Sequence, residues 1–197
     1  MRSAENEALE IPGMLDRLGV ASPRVQWVAS NIYLGTGGIR GLTSRGLQAA
    51  AVYATCRLLG VPRTLKEVAS ASGVKAGEVA RNYRRVLLET NLRVPVQDPA
   101  SFVPGITKRA MLDRNVEKRA VEILSAMKEA RLGVGRAPQV VAAATLYAAY
   151  SELHPTEPSL REPGQPTQKS IADAAGVTEV SVRNQLRWIR RLLDRRG

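Results

Sequence analysis

The chain says nearly the same thing twice. Ala49-Ala50-Ala51-Val52-Tyr53-Ala54 returns as Ala143-Ala144-Thr145-Leu146-Tyr147-Ala148. Thr64-Leu65-Lys66-Glu67-Val68-Ala69-Ser70-Ala71-Ser72-Gly73-Val74 returns as Thr167-Gln168-Lys169-Ser170-Ile171-Ala172-Asp173-Ala174-Ala175-Gly176-Val177. Matching letters keep their order, and the second copy carries extra residues only between the two blocks. A duplicated module sets fold and domain boundary together. The 197 residues therefore divide into two domains of roughly 90–100 residues rather than one large one. The expected division is residues 1–94, a linker at 95–99 marked by Pro95, Asp98 and Pro99, and residues 100–197.

Periodicity reads as helix throughout. In the first copy the expected helices are 6–18, with Pro12-Gly13 breaking or kinking it, Pro23 to Leu34, Ser44 to Leu59, Thr64 to Ala71, and Lys75 to Asn91. Ser44 is expected to cap the third, with Leu47, Ala50, Ala51, Ala54 and Leu58 as its buried stripe. In the second copy they are 99–110, 113–131, Pro138 to Leu153, 168–175 and 179–194. The expected fold is all-α: a tandem duplication of a five-helix module, with the Ala-rich third helix of each copy at its centre. Tyr53 and Tyr147 recur at equivalent points and read as core residues with satisfied hydroxyls.

Composition narrows the partner. The net charge is +11, with 4% aromatic residues. Arginine supplies most of the positive charge, and its planar fork matches phosphates and guanine edges. An anionic partner, nucleic acid, follows more readily than mere solubility. The single cysteine, Cys56, excludes an internal disulfide or a Cys-based zinc site within these residues. It reads as a small buried hydrophobe. The only histidine, His154, lies in a Pro-rich stretch, and no His, Cys or carboxylate cluster has metal spacing. Neither an enzyme activity nor a cofactor is expected. With no long uncharged apolar stretch and no signal-peptide pattern, the reading is a soluble intracellular protein without a membrane partner.

The sharpest local signal lies at 168–194. Ala172 stands four residues before Gly176, and Val182 six after it, which is helix-turn-helix spacing. Val177 and Val182 are expected to plug the corner and Thr178 to cap the second helix. Val182, Leu186, Ile189 and Leu193 face inward; Glu179, Val180, Arg183 and Arg187 face out. Exposed arginine near the start of such a helix suits guanine, and valine suits a thymine methyl. Arg190, Arg191, Arg195 and Arg196 extend the strip toward phosphates. The first copy holds the same spacing at Ala69, Gly73 and Val79, but Ala76-Gly77 leave the start of its second helix bare.

Taken together, Tyr53-Ala54-Thr55-Cys56-Arg57, Gly60 to Val68, Val140 to Ala149, Thr167-Gln168-Lys169 and Ala174 to Asn184 resemble the TFIIB family, archaeal transcription factor B in particular. The resemblance covers about residues 12 to 194. It implies two cyclin-like five-helix repeats that grip the complex of TATA-binding protein and promoter DNA. It also implies that the second-repeat helix-turn-helix reads the B recognition element. Family base-reading positions fall on Val180 and Arg183, with Ser181 and Asn184 beside them. The family's backbone contacts fall on Arg40 and Arg136, and from the basic strip itself Lys169, Arg187, Arg190 and Arg191 are expected to meet the backbone too. Lys75 and Arg81 are the candidates for touching TATA-binding protein, since Ala76 and Gly77 stand where the family often has a basic pair. Leu42 stands where it often has a second arginine. The Pro-rich stretch 154–166 is longer than usual.

Family members also begin with a zinc ribbon that docks on RNA polymerase. No such segment occurs in these residues, which implies a core fragment or a divergent paralogue, a fragment being favoured. Such a chain is expected to bind promoter complexes yet recruit RNA polymerase poorly. Its expected place is the archaeal cytoplasm, associated with the nucleoid, or the nucleus if eukaryotic. A protein-only cyclin-like adaptor and a stand-alone DNA-binding regulator are the alternatives.

Overall fold

Alanine decides where the centre of each repeat lies. In the computed structural model, residues 10–130, 137–155 and 164–193 are described. The first unit, Met1–Gln97, contains α1 (Glu10–Arg17), α2 (Pro23–Gly35), α3 (Ser44–Leu58), α4 (Leu65–Ser72) and α5 (Ala76–Glu89). The second, Asp98–Gly197, opens with a 3-10 turn (Pro99–Phe102). Then come α6 (Val103–Arg109), α7 (Arg114–Glu129), α8 (Pro138–Leu153), α9 (Gln168–Ala175) and α10 (Glu179–Leu193). Among the described residues there is no strand.

Helix α3 packs against all four other helices of its unit, and α8 against every other element of the second. Short alanine side chains let neighbours approach α3 from all sides. Every residue from Gly46 to Cys56 is buried, not only a stripe, whereas Leu58 is half buried. Val141 to Ala149 are likewise buried all round. Polar groups inside these helices bond locally: Thr55 Oγ1 donates to the Ala51 carbonyl at 2.8 Å and Thr145 Oγ1 to the Val141 carbonyl at 2.9 Å. Burial pushes the Cys56 thiol up to about 11, so it stays protonated at neutral pH and behaves as a small hydrophobe. Tyr53 is buried with its ring edge-on to Tyr83 at 4.9 Å. Arg57 lies over the Tyr83 ring, and its positive charge works against the burial that raises the Tyr53 hydroxyl.

Two local expectations change. Thr43, not Ser44, caps α3: its Oγ1 accepts from the Gly46 N–H at 3.1 Å. Ser44 is the first helical residue, and its hydroxyl lies 2.8 Å from that of Tyr33, tying α2 to α3. Pro12 and Gly13 do not break α1 but lie inside it. Pro12 falls in the first turn from Glu10, where a missing N–H costs no intrahelical bond. The expected start of that helix at residue 6 lies outside the described residues. Asp98 caps the turn that starts at Pro99, accepting from the Ala100 N–H at 2.9 Å. Helical structure of the second unit therefore begins at Pro99, the start of the helix expected over 99–110.

Candidate nucleic-acid interface

The turn between α9 and α10 is built from three local devices. Thr167 and Ser170 cap α9 reciprocally: Thr167 Oγ1 accepts from the Ser170 N–H at 3.0 Å, and Ser170 Oγ from the Thr167 N–H at 2.8 Å. Thr64 and Glu67 do the same for α4, at 3.1 and 2.7 Å. Gly176 ends α9 in the left-handed region at φ 67°, where a Cβ is disfavoured. Thr178 Oγ1 then accepts from the Ser181 N–H at 3.2 Å and starts α10. Ala172 and Val182 are fully buried and Val177 packs against the same core. The small residue at the crossing and the two valines at the corner thus seat α10 on the bundle.

A further support reaches the turn from another helix. Arg109 at the end of α6 donates from Nε to the Ala174 carbonyl at 2.6 Å. Arg17 at the end of α1 donates to the Ala71 carbonyl at the same 2.6 Å. Each guanidinium lies along its own helix over a glycine one turn back. A Cβ on Gly13 would stand 3.4 Å from Arg17 Nη1, and one on Gly105 3.5 Å from Arg109 Nη1. Thus Pro12-Gly13…Arg17 and Pro104-Gly105…Arg109 are one repeated device. Its arginine satisfies a C-terminal carbonyl of the helix before the turn. The signal was present as a second internal repeat, hidden because Pro-Gly reads as a breaker.

Helix α10 has two distinct faces. Val182, Leu186 and Ile189 are at most 2% exposed. Gln185, not expected inside, is also buried, and Trp188 packs beside them. The Leu193 side chain lies outside the described residues. On the opposite side Val180 is 60% exposed. Arg183, Asn184, Arg187, Arg190 and Arg191 are exposed, and Ser181 is half buried with its hydroxyl 2.7 Å from that of Thr178. Val180, Arg183, Asn184, Arg187 and Arg191 follow helical spacing and so form one strip. Arg183 donates from Nη2 to Glu179 Oε1, one turn earlier. Lys169 is exposed in the first turn of α9.

The remaining candidates sit in the first unit, apart from Arg136, which lies outside the described residues. Arg40 is exposed on the α2–α3 loop, between buried Ile39 and Gly41 at φ 82°. Lys75 occupies the N-cap position of α5 without a side-chain cap bond, and is exposed. Arg81 is exposed and lies back over Gly77: Nη1 is 3.7 Å from where a Cβ there would stand.

The family model described as "Transcription factor TFIIB repeat" matches residues 3–89 and again 92–191. The chain belongs to the TFIIB family. The two matches hold α1–α5 and the second-unit elements as far as Arg191, and the tandem cyclin-like fold is that of the TFIIB repeat. Relatives named "Transcription initiation factor IIB" agree. The protein of Methanothermococcus thermolithotrophicus is 40% identical over 189 residues, 94% of this chain and 52% of its own length. That of Archaeoglobus fulgidus is 41% identical over 147 residues, 75% of this chain and 42% of its own length. That of Methanocaldococcus jannaschii is 38% identical over 189 residues, 94% and 26% respectively. The chain therefore spans about half the length, or less, of these TFIIB relatives. Within this TFIIB chain the two repeats share the capping box of α4 and α9, the turn glycine and the arginine brace, but Thr178 caps α10 where Lys75 leaves α5 uncapped. Their exposed faces differ: Ala76, Gly77 and Ala80 stand where the second repeat has Glu179, Val180 and Arg183.

Proposed function

We propose that the chain is the core of a general transcription initiation factor that binds promoter DNA together with TATA-binding protein. In this reading α9 and α10 form a DNA-binding helix-turn-helix whose strip reads the B recognition element upstream of the TATA box. Val180 and Arg183 meet base edges, with Ser181 and Asn184 beside them. Lys169, Arg187, Arg190 and Arg191 hold phosphates, as do Arg40 and Arg136 from the loops. Lys75 and Arg81 meet TATA-binding protein. The role draws on the family and on relatives named as initiation factors. Its DNA-reading part is carried by one observation: an arginine-rich strip, led by exposed Val180, on a helix whose other face buries Val182, Gln185, Leu186 and Ile189.

The division of labour follows from the chemistry. A guanidinium offers paired donors that match O6 and N7 of guanine, and an exposed valine offers an apolar surface to a thymine methyl. Arginines further along meet any sequence equally, because phosphates carry no sequence information. RNA polymerase is a further expected partner, in a cytoplasmic, nucleoid-associated setting. Among the described residues no helix is long and apolar enough to cross a membrane.

A salt titration of duplex binding tests this reading. Affinity is expected to fall linearly in a log–log plot, by about 0.9 log units per phosphate contact for each tenfold rise in salt. Binding that ignores salt, or no duplex binding with TATA-binding protein present, favours a protein-only adaptor and overturns it.

A further inference from the structure

We propose that Glu179 is a specificity-determining residue of the second repeat, acting through Arg183. The proposal rests on the DNA-reading function above. Glu179 opens α10, and its Oε1 accepts from Arg183 Nη2 one turn later, with both side chains partly in solvent. Val180, the most exposed apolar residue among the described side chains of the helix, lies between them. The pair is not needed to build the turn. In the first repeat the same positions are Ala76 and Ala80, and there the cap, the left-handed glycine and the arginine brace recur without it.

A carboxylate beside a base-reading arginine changes what that arginine accepts. It repels phosphate oxygens approaching the same spot, and it occupies part of the donor fork. Contact with an arbitrary stretch of DNA backbone is thereby disfavoured. A guanine edge remains acceptable, because the five N–H donors of a guanidinium serve two acceptors from one edge while another donor stays on the carboxylate. Glu179 thus orients Arg183 toward base edges and weakens its use as a general phosphate anchor. Removing the negative charge leaves Arg183 free to pair with phosphate at any sequence. Specificity here is a difference of affinities, set by a repulsive group as well as an attractive one.

The test uses the full chain with TATA-binding protein on promoter duplexes whose upstream bases are either intact or scrambled. Glu179→Gln keeps size and polarity and removes the charge. The expected result is tighter binding to the scrambled duplex by roughly two- to fivefold. The ratio of intact to scrambled affinity falls, and the salt slope steepens by about 0.9. In Glu179→Gln/Arg183→Ala the effect on the ratio is expected to vanish, since it passes through Arg183. An unchanged ratio and slope in Glu179→Gln, while Arg183→Ala still lowers the ratio, overturns the proposal alone. An effect that persists in the double variant overturns the route through Arg183. If Arg183→Ala leaves the ratio unchanged, the base-reading assignment fails and this proposal with it. Matching thermal unfolding of Glu179→Gln and wild type guards against a fold defect.

Discussion

At the scale of single residues, the proposed function gives the same side chain two jobs according to its position along α10. Arg183 is in the first half of the helix beside exposed Val180, and Arg190 lies nearly two turns further on. Arg183→Ala is expected to relax base preference upstream of the TATA box, at a cost of roughly 1–3 kcal/mol for the base it reads. Selection from random duplexes checks this, and an unaltered preference defeats the assignment. Arg190→Ala is expected to weaken all sequences alike and to make the salt slope shallower by about 0.9; an altered preference counts against its phosphate role. Asp113 gives a pH-dependent prediction. The backbone N–H of Val116, then that of Asn115 and the His154 side chain, hold its carboxyl below the usual aspartate range. A lowered folded value means stabilisation that is present above the usual range and lost as pH falls through the folded value. Asp113→Asn keeps a capping oxygen but cannot titrate. Its melting temperature is expected to depend less on pH below about 4 than the wild type's, and identical profiles contradict the assignment.

Among the elements, the braces on α4 and α9 matter most. Arg17→Ala and Arg109→Ala each remove a donor from a helix-terminal carbonyl, and each is expected to cost about 1–2 kcal/mol. Thermal unfolding measures the cost. Hydrogen exchange is expected to accelerate around the end of α9 in Arg109→Ala and around the end of α4 in Arg17→Ala; exchange that does not change there shows the brace to be idle. These elements also mark what was legible in the sequence. Helix number, order and the start of α2 and α8 followed from proline, glycine and capping residues, whose effects are local. The start of α3 did not: Thr43 and Ser44 are both good caps, and only the Tyr33 hydroxyl across the bundle selects between their roles. Pro12-Gly13 was misread for a related reason. Whether proline breaks a helix depends on where the helix begins, and the tie that holds this helix end, Arg17 to the Ala71 carbonyl, joins residues 54 apart.

The whole molecule is a duplicated frame with unequal surfaces. Its alanine-centred cores were legible from the repeat, although burial around α3 is complete rather than confined to a stripe. A run of alanines has no polar face to turn outward, so periodicity cannot mark one. The exposed strip of α10 was legible too, because turn spacing fixes which residues face away from the core. The Glu179–Arg183 pair was not, since helical spacing permits such a pair without requiring it. What the second copy adds to the common frame is an exposed strip of Val180, Arg183, Asn184 and Arg187, and its proposed reading of bases is the central functional claim. A gel shift of the full chain on a TATA promoter duplex, with and without TATA-binding protein and with the upstream bases intact or scrambled, tests it most directly. The account predicts a complex that forms far more tightly with TATA-binding protein and weakens when the upstream bases are scrambled. Equal binding with and without TATA-binding protein, indifferent to the upstream bases, would contradict it.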